Sequence, residues 1–153
     1  MKNFRQRLVL AGIICFVLAL FQIMIGFSPS LSLYFGAPQA LVKNIYALIA
    51  ASLLVAGVLV VFGLYALSGA GFIRKLPLLK QALAAISCIY TIRGLLLVPE
   101  LFVLFGGINV SIPVAPRFVI FSLGSLLIGM IFLTGIIGGW RSFSASEKSI
   151  IQS

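Results

Sequence analysis

Arg93 and Glu100 are the residues in this sequence with the most chemistry to offer, because both stand inside an apolar run. At 3.6 residues per turn a spacing of seven puts both on one helix face, about 10 Å apart along the axis. A guanidinium in such surroundings attracts an anion or a lipid headgroup, and a carboxylate can carry a proton or a cation. Ionisable side chains within an apolar helix are therefore functional candidates by default. Tyr90, Thr91, Gly94 and Pro99 complete the cluster. Pro99 lacks an N–H and so frees the carbonyl of Leu95, while Gly94 lets another backbone come close. Gln22, Asn44 and Ser122 lie in or beside other apolar runs, at depths from which they could face the cluster. The ligand or partner candidates are thus Arg93, Glu100, Tyr90, Thr91, Pro99, Gln22 and Asn44.

Arg93 admits three roles. It can line an outward-facing cavity with Glu100, it can pair with Glu100 or with carbonyls to fix helix packing, or it can meet an acidic residue on another membrane protein. Other chemistry is scarce. There is no histidine, and Glu100 and Glu147 are the two acids, so neither a histidine base nor a carboxylate pair is expected and no catalytic residue is assigned. Cys15 and Cys88 fall inside apolar runs at a spacing that matches no zinc or redox motif, so no metal ligand and no cofactor is expected. The glycines at Gly69 and Gly71 lack the Gly-Lys-Ser/Thr ending of a phosphate-binding loop. No motif of a known family is recognisable.

The elements that must position these residues follow from composition. Of 153 residues 62% are hydrophobic and 8% charged, with a mean hydropathy of +1.26. A soluble domain carries about 25% charged residues, so the expectation is an all-α integral membrane protein, one transmembrane domain over 1–153. Four runs reach the roughly 20 residues needed to cross a bilayer: 8–27, 44–67, 82–104 and 118–139, followed by a short basic tail over 140–153. The first run is too long for the core of a signal peptide, and Ser28-Pro29-Ser30 is a poor cleavage site, so an uncleaved helix is expected.

Lysine and arginine orient the bundle. Eight of them (Lys2, Arg5, Arg7, Arg74, Lys75, Lys80, Arg141 and Lys148) fall on one side and two, Lys43 and Arg117, on the other. The positive-inside rule then puts both termini in the cytoplasm, N-in and C-in. The net charge of +9 is accounted for by these flanks, and no nucleic acid partner is expected. The outer connection from Ser28 to Pro38, with Leu31, Leu33, Tyr34 and Phe35, reads as a segment at headgroup level. The second outer connection, over 105–116, carries two glycines and two prolines and reads as a re-entrant or extended cover. Tyr46, Tyr65 and Trp140 occupy ordinary interfacial belt positions.

Small residues four apart mark helix-packing faces: Ser125 with Gly129 and Gly135 with Gly139 in the fourth run, Ala47 with Ala51 and Ser52 with Ala56 in the second. Ser52-Leu53-Leu54 recurs 73 residues later as Ser125-Leu126-Leu127, a weak repeat that would make the bundle two related helical hairpins. The third run is energetically marginal. Its apolar side chains contribute roughly 4–7 kcal/mol at 0.3–0.6 each, and a central arginine alone removes about 2.5–3.5. It needs the other helices, or a partner, to stay inserted.

The expectation is a compact bundle of four transmembrane helices in a cell membrane, favouring a bacterial inner membrane. Its leading function is a non-enzymatic structural, assembly or accessory role exercised through helix contacts, with the lipid bilayer, another membrane protein or a homo-oligomer as partner. The alternative is a small transporter or channel subunit, with Arg93 and Glu100 lining an outward-facing cavity. A weaker alternative is a lipid- or quinone-modifying membrane enzyme.

Overall fold

The computed structural model describes residues 2–74, 76, 78–105 and 116–151, with side chains described over 4–74, 76, 78–103, 105 and 118–139. The expected cover over 105–116 lies, apart from its two ends, outside the described residues, as do Lys75 and Pro77.

All regular structure among the described residues is helical. The elements are α1 (Lys2–Gly26), α2 (Pro29–Tyr34), α3 (Gln39–Val42), α4 (Ile45–Ala70), α5 (Leu79–Leu95), α6 (Leu97–Leu104) and α7 (Pro116–Ile151). Four stretches are long and apolar enough to cross a membrane: Phe4–Gly26, Ile45–Ala70, Leu79–Val103 and Phe118–Gly139.

Their ends differ from the sequence expectation by up to about a turn, for local reasons. Helix α4 runs on to Ala70 because its terminator is Gly71, whose φ of 82° suits a residue without a Cβ. Phe72 N–H donates to Leu67 O and Gly71 N–H to Ser68 O, the paired bonds that close a Schellman turn. The Ser68 hydroxyl then clips the following connection, donating to Arg74 O at 3.1 Å and accepting from Leu76 N at 3.0 Å. Helix α7 continues through the tail to Ile151, since 140–151 contains neither proline nor glycine to stop it.

The third run is interrupted at Leu96. Pro99 has no N–H to offer Leu95 O, so the ladder skips a rung before Glu100 N–H resumes it on Leu96 O at 3.1 Å.

Helix α1 packs chiefly along α4, and α5 along α7, with α1 against α7 joining the two pairs. Small residues set the approach. A Cβ on Gly12 would lie 3.2 Å from Gly63 O, and one on Gly63 3.3 Å from Gly12 O, so α1 and α4 meet nearly backbone to backbone. Between α1 and α7, a Cβ on Gly135 would reach 2.9 Å from the end of Leu8. The buried core contains Leu8, Ala11, Cys15, Leu83 and Phe132. Tyr90 sits within it, stacked on Phe132 at 6.0 Å and edge-on to Phe62 at 6.1 Å.

Candidate functional site

Pairs across α5 and α7 give the register of the Arg93 region. A Cβ on Gly129 would lie 2.9 Å from Thr91 Oγ1, and one on Gly94 would lie 2.5 Å from Leu126 Cα. Each step along α5 is thus one step back along α7, an antiparallel pair in which Arg93 stands level with Leu127. Leu127 lies nine residues from Phe118, or about 14 Å into the apolar stretch Phe118–Gly139, close to its middle. Ser87 ties the same two helices by donating its hydroxyl to Gly129 O at 3.3 Å.

Arg93 is exposed on the flank of the bundle at this level. Ile89 and Ile92 beside it are 53% and 63% exposed, so the cation stands in an outward-facing apolar strip. Glu100 behaves differently. It is half-buried, and its Oε2 is shut off from the surface with no hydrogen-bond partner. Among the described residues no ion pair joins the two side chains. The break at Leu96 separates them onto α5 and α6, and the single face expected from a spacing of seven holds only along one continuous helix.

The structure brings few of the other candidates to Arg93. Tyr90 points into the core, its hydroxyl 4.0 Å from Cys15 Sγ. Thr91 is half-buried against Gly129. Pro99 is exposed, and its effect is the interruption already described. Asn44 caps α4, its Oδ1 accepting from Ala47 N at 3.3 Å. Gln22, on α1, lines a cavity against α4 that Arg93 and Glu100 do not line. Ser122 is fully buried with no partner for its hydroxyl, and the α5–α7 register carries it to the level of Val98.

Of the small residues, Gly129 and Gly135 lie at helix contacts and Gly139 is buried. Ser125 donates to Phe121 O of its own helix. Ala47 and Ala51 are half-buried, and Ala51 faces the cavity with Gln22.

That cavity holds about 270 Å³ beneath the connection between α1 and α4. Its roof is built by local capping. Ser28 caps α2 with Pro29 in the first turn, and Ser32 donates to Ile25 O at 2.8 Å, folding α2 back onto the end of α1. Gly36, with φ of 91°, turns the chain where a Cβ would strike the Phe118 ring. Phe35 is then wedged between Phe21 and Phe121, each 5.3 Å away. The aromatic residues expected at headgroup level thus join α1 to α7.

Among the described residues no three histidine, cysteine, aspartate or glutamate side chains converge to hold a metal ion. Both cysteines are free, Cys15 buried and Cys88 exposed. Comparison with known proteins finds no match to a family, to a curated protein or to a solved structure.

Proposed function

We propose that this chain is a structural or accessory subunit of a multi-pass membrane assembly, holding a partner helix against the Arg93 flank of α5. The observation that carries this is the exposure of Arg93 near the middle of the apolar stretch, with no ion pair among the described residues. A central arginine facing hydrocarbon costs about 2.5–3.5 kcal/mol on insertion scales. An acidic or carbonyl partner on a neighbouring helix offsets that cost. The chain has no acid of its own suited to the task. Glu100 keeps one carboxylate oxygen buried, and Glu147 lies at the far end of α7. A second protein supplying the acceptor fits better than a second copy.

The charge split supports an N-in, C-in orientation, and the compact loops favour a bacterial inner membrane. The test is a photo-crosslinking side chain placed at Ile92 beside Arg93, with Ile137 on α7 as the control position. A discrete protein adduct from position 92, lost in Arg93→Leu and absent from position 137, is the expected result. Adducts of lipid alone from both positions would refute the reading.

The buried Oε2 of Glu100 favours a second reading, a small transporter in which this carboxyl exchanges a proton or cation. It predicts saturable uptake in proteoliposomes that disappears in Glu100→Gln. Absence of uptake across broad anion and cation panels would end it.

A further inference from the structure

The cavity under the connection between α1 and α4 is separate from the Arg93 flank. It runs along one stripe of α4, from Leu48 through Ser52 to Val55, a length of about 10 Å at 1.5 Å per residue. Gln22 and Ile25 of α1 form the facing wall, and Ser32 lies under the roof. Ser32 already spends its hydroxyl on Ile25 O. Gln22 and Ser52 spend theirs on nothing within the described residues, so an amide and a hydroxyl are available to an occupant. No ionisable side chain among the described residues lines the space. At its inner end Val55 is 43% exposed, and Pro38 is exposed at the rim.

These features define the occupant. Walls without charge select a neutral molecule, since an unpaired ion in such surroundings is strongly disfavoured. Two free hydrogen-bonding side chains select a head with carbonyl or hydroxyl oxygens. A lining that runs along the apolar stretch Ile45–Ala70 selects something dissolved in the bilayer. The volume exceeds the roughly 150 Å³ that accommodates benzene, leaving room for a substituted ring or a single-chain head but not for a two-chain phospholipid.

We infer that this cavity is a binding site for a neutral, single-chain amphiphile whose oxygenated head is held between Gln22 and Ser52. A monoacylglycerol and a quinone share that chemistry, and paired probes separate them.

The test uses the full chain in phosphatidylcholine nanodiscs with three diazirine probes of equal chain length. One carries a monoglyceride head, one a benzoquinone head, and one no oxygen at all. Labelling is mapped by peptide mass spectrometry. At least one oxygenated probe is expected to label peptides containing Gln22 or Ser52 saturably, and the hydrocarbon probe is not. Gln22→Leu, which keeps the bulk and apolarity of α1, should weaken apparent affinity about fivefold to tenfold, the equivalent of one hydrogen bond. Ala51→Phe, which fills the space, should abolish labelling. Equal labelling by the hydrocarbon probe, or labelling indifferent to Gln22→Leu in a protein that elutes as the wild type does, would overturn the assignment. So would no saturable labelling by either oxygenated probe.

Discussion

Gly94→Ala measures how tightly α5 and α7 are held together. A Cβ at this position would lie 2.5 Å from Leu126 Cα, 2.6 Å from its Cβ and 2.7 Å from its N. Two of those three atoms are backbone, so no rotamer change can relieve the contact. Ordinary van der Waals contact begins near 3.4 Å, so the helices must part by about 0.9 Å at that level, comparable to inserting a methylene into a filled core. Overpacking of this kind costs about 1–3 kcal/mol. Alanine returns about 1 kcal/mol through its higher helix propensity, which leaves a net loss of up to about 2 kcal/mol. Gly57→Ala is the matched control, because nothing lies within 4 Å of a Cβ there. It should be neutral or stabilising by about 0.5–1 kcal/mol. Reversible unfolding in mixed micelles, followed by steric trapping, reads the difference directly. Gly94→Ala as stable as Gly57→Ala would refute the close α5–α7 approach, and with it the register that places Arg93.

Other expectations follow from the same contacts. Tyr90→Phe keeps the ring between Phe62 and Phe132 and loses only a long thiol contact, so its unfolding free energy should change by less than about 1 kcal/mol, whereas Tyr90→Ala should lose about 3–5. Pro99→Ala restores an N–H opposite Leu95 O, and hydrogen exchange should find the new amide protected and the Leu96 interruption closed. Arg93→Leu removes the insertion penalty, so the third span should insert more favourably by about 3–4 kcal/mol in a translocon assay. A helix that inserts no better would mean that Arg93 is already neutralised within the bundle.

The four apolar helices were legible because each is a long hydrocarbon run bounded by charge, proline or glycine. Rotation about their axes was not. In a soluble protein the buried face is the apolar face, but here Leu48 is 2% exposed and Leu54, of the same type on the same helix, is 68% exposed. A helix apolar on all sides carries no stripe from which to infer what it faces. For that reason Gln22 and Arg93 could be placed at depths but not on faces, and the structure sets them on different sides of the bundle. Pro99 did announce the freed Leu95 carbonyl. The consequence for the Arg93–Glu100 spacing needed the interruption itself, which divides 82–104 between two helices. The cavity beneath Phe35 had no sequence signal of its own. It arises from the fold-back of α2, held by Ser32 on Ile25 O, and in the sequence Ser52 stood out only as a member of a small-residue row and of a weak repeat.

On the proposed reading Arg93 is met by another protein. Native mass spectrometry of the chain extracted from its own membrane in mild detergent tests it most directly. A stoichiometric second membrane protein, retained in the wild type and released by Arg93→Leu while the chain itself stays folded, is the predicted result. A chain that flies alone or as copies of itself, with the same mass distribution in Arg93→Leu, would contradict it.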